Sequence, residues 1–143
     1  MESDYLEVVE FTTTGFKPLI LFQEWRVATL CYTADLYPPD IATLERHLET
    51  DEVFVLLKGS ATLILGSATG EAGSIEMIPL APLKGYNVRR NVWHGVILSR
   101  DAVILLVENE DTGSANSEYY PLTWEMKQAY LAEARTYEDW KLL

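Results

Sequence analysis

The sequence predicts a mainly β chain, a sandwich or barrel that ends in one C-terminal helix. Three observations lead there. Between Trp25 and Val107, short runs rich in Val, Ile, Leu, Thr and aromatic residues are cut by breaks that carry Gly, Pro, Asn and Asp. No helical crossover long enough to join parallel strands lies between those runs, which argues against a parallel α/β sheet. After Pro121 the apolar residues change to helical spacing. At 143 residues, a single domain over 1–143 with a sizeable core is expected.

Taken in order, residues 1–24 read as entry strands and a loop, with Gly15 and Pro18 as breaks. The clearest strands are 25–33, 52–57, 61–65, 74–78, 94–98 and 102–107, and the segment that carries Glu45 and His47 is read as another. Breaks fall at 38–40, 58–60, 66–73, 79–85 and 99–101. Residues 108–117 are polar and loop-like. Thr123 is a candidate N-cap for a helix from Trp124, with Glu125 favourable in the first turn. Met126, Tyr130, Ala134 and Tyr137 form a stripe expected to pack on the barrel exterior or on a second subunit.

Composition narrows the partners. A formal charge of −11 opposes binding to nucleic acid, whose phosphates need concentrated Lys and Arg. It equally opposes adsorption to an anionic membrane. Cys31 is the only cysteine, so no internal disulfide forms, which fits a reducing compartment. The acidic N-terminus is unlike a signal peptide, and the apolar runs 53–57 and 102–107 are too short to span a bilayer. A cytoplasmic location is the expectation.

Only two histidines occur, and histidine is both the usual acid/base near neutral pH and the commonest metal ligand. On a strand, Glu45 and His47 leave the same face. A tight turn at 49–51 is expected to return Glu52 beside them on the next strand, with Gly59 supplying a positive φ at the turn after it. Two carboxylates and an imidazole inside a barrel need a metal ion, a proton or a cationic partner. The competing reading makes Glu45, Glu49, Asp51 and Glu52 a solvated acidic rim. The second histidine closes the run Arg89-Arg90-Asn91-Val92-Trp93-His94. Arginine forks bind carboxylates, and Trp93 is placed to shield the imidazole. Here the alternatives are an exposed Arg pair and a structural His94.

His47, four residues, Glu52, six residues and Gly59 resemble the second half of the first cupin motif. Glu45 stands where most metal cupins carry their first histidine. His94 matches the histidine of the second motif, whereas Arg89 and Asn91 replace its usual Pro and Gly, and Leu98 replaces its Asn. More narrowly, Leu44-Glu45-Arg46-His47, Lys58-Gly59, Asn87 and Arg90-Asn91-Val92-Trp93-His94 resemble the ureidoglycolate lyases, over roughly residues 40–110. That resemblance implies a cupin-like double-stranded β-helix, a jelly-roll barrel, commonly dimeric. It implies cleavage of ureidoglycolate, a small anionic substrate, to glyoxylate and urea in purine catabolism.

Two departures stand out. The arginine usual on the preceding strand is missing, with Cys31 or Tyr32 in its place, and Glu52 stands where the compared lyase has no acid. On the lyase reading His47 and His94 share the general-base and general-acid roles, in either order. Lys58 joins them in catalysis, and Lys58, Arg89 or Arg90 hold the carboxylate, with Arg46, Asn91 and Trp93 also at the substrate. On a second reading, Glu45, His47, Glu52 and His94 form a mixed N/O set for one divalent ion, Zn, Mn, Fe or Ni, in a cupin of isomerase- or dioxygenase-like activity. A third reading is a non-catalytic cupin that binds a small ligand.

Overall fold

The computed structural model describes residues 4–11, 14–68 and 71–143. Ten strands and one α-helix follow in the order β1 (Phe16–Phe22), β2 (Trp25–Cys31), β3 (Thr43–His47), β4 (Glu52–Lys58), β5 (Ala61–Leu65), β6 (Glu76–Pro79), β7 (Gly85–Val88), β8 (His94–Leu98), β9 (Val103–Asn109), β10 (Ser117–Pro121) and α1 (Trp124–Ala134). They build two five-stranded antiparallel sheets, β1-β2-β9-β4-β7 and β10-β3-β8-β5-β6. The mainly β jelly-roll architecture with a C-terminal helix is therefore as expected. No helix among the described residues is long and apolar enough to cross a membrane.

Strict alternation carries the inner core. Along β4 the buried positions are Glu52, Phe54 and Leu56, and along β9 they are Ile104, Leu106 and Glu108. Their apolar members meet Ala61, Leu63 and Leu98 of the facing sheet. Burying such side chains stabilises by about 1.5–3 kcal/mol each. Gly59 has φ +74°, and a Cβ there would lie 2.7 Å from Ala102 Cα. The turn between β4 and β5 thus needs glycine for both conformation and space.

The second sheet is covered on its outer face as well. Leu44, Ile64, Trp93 and Ile97 pack under Met126, Tyr130, Ala134 and Trp140. Thr123 Oγ1 accepts from the Met126 N–H at 3.2 Å, so the predicted cap is present. The helix ends at Ala134 rather than running to Tyr137. The chain then places the Tyr137 hydroxyl 2.7 Å from Thr62 Oγ1 and lets the Trp140 indole donate to the Leu98 carbonyl at 2.9 Å.

Three local expectations are corrected. Pro18 is not a break but lies within β1, an edge strand, where the register shifts between Pro18 and Ile20. An edge tolerates the missing N–H. The loop expected over 108–117 is shorter, because β9 runs to Asn109 and Ser117 opens β10 (Ser117–Pro121) against β3. Most importantly, β3 and β4 are not hairpin neighbours. They lie in different sheets, so Glu52 meets His47 across the barrel interior.

Candidate metal and ligand cavity

One end of the interior stays open as a cavity of about 360 Å³. β3 supplies Glu45 and His47, β4 supplies Glu52, and β8 supplies His94. His94, Glu52 and His47 are only 3%, 5% and 7% exposed, too buried for a solvated rim, whereas Glu49 is exposed as a rim residue would be. Both Nε2 atoms lie 3.1 Å from Glu52 Oε1. Glu45 Oε1 is 3.8 Å from His47 Nε2 and 3.9 Å from His94 Nε2. One donor atom from each of the four lies within 4.8 Å of the others.

The outer ring nitrogens decide what this cluster can do. His94 Nδ1 is 3.0 Å from the Val92 carbonyl, which can only accept. Nδ1 therefore carries the proton, and a neutral His94 points its Nε2 lone pair at a carboxylate oxygen. That contact is repulsive unless a proton or a cation lies between them. His47 Nδ1 is 2.8 Å from Ser117 Oγ on β10. Both imidazoles thus turn Nε2 inward and give Nδ1 a hydrogen-bond partner, which is how metal-ligating histidines are usually oriented. Metal–ligand bonds of about 2.0–2.2 Å put adjacent ligands about 3 Å apart. The donor set fits one divalent ion.

Electrostatics agree. Burial alone would lower both histidine pKa values, but the hydrogen bond and charge of Glu52 outweigh it and raise them. Burial alone would raise the Glu52 carboxyl, but its bonds to the two imidazoles hold it well below the usual range. The cluster is built to keep a carboxylate charged beside something positive.

The remaining sequence candidates are not in this cavity. Lys58 is exposed at the far end of β4, against Val103, and contributes nothing to the wall. Arg46 alternates to the other face of β3, where its guanidinium lies 4.5 Å from the Trp93 ring centroid and pairs with Glu118 at 2.6 Å. Trp93 is buried under the C-terminal segment, so it does not shield His94; Phe54 does, edge-on at 6.0 Å. Arg89 and Arg90 are exposed, and it is the Arg90 backbone N–H that bonds Asp51, at 2.8 Å. Asn91 has φ +70° and donates its N–H to the His47 carbonyl. It is a turn residue, a role asparagine tolerates well.

Two cavity residues escaped the sequence reading. Arg26 and Glu108 are direct partners on β2 and β9 and form an ion pair of 2.8 Å. Burial and the Glu52 charge push the Glu108 carboxyl up to about 7, against the pull of Arg26. The available signal was alternation: 104, 106 and 108 share a face, but the predicted strand stopped at 107. Arg26 stands near the start of β2 and Cys31 at its end, so β2 carries no arginine at the position the resemblance points to.

Comparison with solved structures agrees with the architecture. A cupin-2 domain protein from Shewanella frigidimarina is 13% identical, with a TM-score of 0.50 over 72% of this chain and 85% of that one. The fold is the cupin fold. A TDP-fucose-3,4-ketoisomerase from Campylobacter jejuni is 14% identical, with a TM-score of 0.51 over 73% of this chain and 85% of its own. A nucleoside dehydratase from Streptomyces is 8% identical, with a TM-score of 0.51 over 74% and 76%. No family model and no curated protein sequence matches the chain. At these identities the likeness carries the fold, and the chemistry must come from the cavity itself.

Proposed function

We propose that this chain is a metal-dependent cupin enzyme acting on a small polar molecule, with Glu45, His47, Glu52 and His94 holding one divalent ion of the Zn, Mn, Fe or Ni type. The single observation that carries this reading is the pair of inward Nε2 atoms, each 3.1 Å from one buried carboxylate oxygen. When bound, such an ion supplies Lewis acidity toward a carbonyl or hydroxyl oxygen. The chain's own part is to fix the ligand geometry through Val92 and Ser117. Phe54, Leu30 and Leu106 keep water from the inner wall. The fold neighbours include isomerases and a dehydratase, which is compatible with catalysis of this general kind.

A narrower reading, C–N cleavage of ureidoglycolate, is favoured by the Arg90–His94 run. Against it, none of Lys58, Arg46, Arg89 or Arg90 lines the cavity, so a carboxylate clamp from those residues is not available. On this reading the substrate's carboxylate and hydroxyl would have to chelate the ion.

The test is metal content in protein purified without an affinity tag. About one equivalent of divalent metal is expected, lost in His94→Ala. A chain that takes up no divalent ion, and whose melting is indifferent to chelator, overturns the metal reading. Glyoxylate release from ureidoglycolate then decides the narrower one: no release from either enantiomer with metal present excludes it.

A further inference from the structure

The cavity contains a charge pair that the metal reading does not use. Arg26 Nη2 donates to Glu108 Oε1 at 2.8 Å and to the Thr112 carbonyl, while Nη1 donates to the Glu110 carbonyl. Glu108 Oε2 is left with no partner although its side chain is only 4% exposed. Arg26 Nε is the other buried side-chain atom left without one among the described residues. A carboxylate oxygen stripped of water and given no donor is costly. Oε2 lies 3.8 Å from His47 Nε2, so it faces the histidine cluster. It stands outside the set of four whose donor atoms are all mutually close.

We propose that Glu108 is a specificity residue of this cavity: its Oε2 accepts a hydrogen bond from an O–H or N–H of the ligand, and Arg26 positions it. The inference rests on the reading of this cavity as the working site and adds the class of ligand. A ligand carboxylate has no proton to give and meets an ionised Glu108 charge to charge. Arg26 is the one Lys or Arg among the described lining residues; its Nη2 is taken up by Glu108 and the Thr112 carbonyl, and its charge is already balanced by Glu108. The end beside Glu108 therefore takes a neutral donor group, an alcohol, a carboxamide or a ureido group. Leu30, Phe54 and Leu106 in the same wall suit an apolar flank on that molecule.

Glycolamide and glycolate are suitable probes, because they match in size and differ in the donor. Their binding to the metal-loaded full chain is measured by calorimetry. Glu108→Gln should weaken glycolamide about tenfold, the usual worth of a charge-assisted hydrogen bond, with glycolate unchanged or tighter and metal content intact. The double variant Arg26→Met, Glu108→Leu replaces the pair by apolar groups and keeps a folding control; it should abolish the preference for glycolamide. An unchanged ratio of the two affinities in both variants overturns the proposal. So does loss of metal from Glu108→Gln, which would make Glu108 a ligand, or no measurable binding of glycolamide by the wild type at millimolar concentration. A wild type without metal that still prefers glycolamide, with the preference lost in both variants, defeats the metal reading alone.

Discussion

Leu56 and Glu52 stand on the same strand and on the same inward face, yet their surroundings differ completely. Leu56 joins Ala61, Leu63, Leu98 and Ile104 in a buried apolar cluster at one end. Glu52 meets two imidazoles at 3.1 Å in an open one. β9 repeats the contrast, with Ile104 in the packed end and Glu108 in the cavity wall. Backbone geometry is shared, so strand alternation cannot be the cause. The difference lies in which residue type occupies the inward position near each strand end. The apolar end carries the stability from which the polar end can hold charges that would otherwise repel one another.

The largest effect should come from the polar end. His94→Ala removes one inward nitrogen and should lower metal affinity by more than the 10–100-fold typical of an outer-shell change, read by competition with a chromophoric chelator. Retention of wild-type affinity would separate His94 from the metal and collapse the contrast.

At the apolar end, Ile104→Ala should cost about 2–5 kcal/mol of unfolding free energy while metal stoichiometry stays at the wild-type value. Denaturant titration together with metal analysis checks both. A loss of metal in the folded variant would mean that the two ends are not independent.

The response to pH sharpens the comparison further. His47 and His94 are raised above 6.5 by Glu52 against burial. Glu108 is raised from 4.5 to about 7 by burial and the Glu52 charge. Groups raised in the fold stabilise it fully below their unfolded pKa and lose that contribution as pH rises. The metal-free chain should therefore lose stability from pH 4.5 upward through Glu108, and from 6.5 upward through the histidines. Glu52 has the opposite sign, but its effect falls below pH 4.5. With a divalent ion the trend above 6.5 should reverse, because the ligands must shed protons to bind it. Melting temperatures across that range, with chelator and with metal, test the sign. A chelated protein that gains stability above pH 6.5 contradicts it.

The smallest effects belong to residues outside both ends. Arg46→Ala removes a cation–π contact and a surface ion pair, together worth about 1 kcal/mol, and should leave cavity binding untouched. Lys58→Ala should change stability by no more than about 0.5 kcal/mol. Impaired ligand binding in either variant would return these residues to the site.

Alternation, turn chemistry and capping were readable from the chain because each is a local property. The spacing of Glu45, His47, Glu52 and Gly59, the inward run of β4, the positive φ at Gly59 and the Thr123 cap all follow from neighbours a few residues away. The period of two also says that Arg46 and His47 leave opposite faces, but it does not say which face is inside. That is decided when a whole sheet finds its partner, and it turned Arg46 outward onto Trp93 and Glu118, with Trp93 buried under the C-terminal segment. Sheet membership is equally non-local. Only the folded barrel sets β3 against β10 rather than β4, brings Ser117 to His47, and pairs Arg26 with Glu108 across 82 residues of chain. The sequence by itself determined the strands and the cluster of candidate ligands. The tertiary structure decided which charges face the cavity, because burial and pairing depend on surfaces that meet only after the sheets have closed.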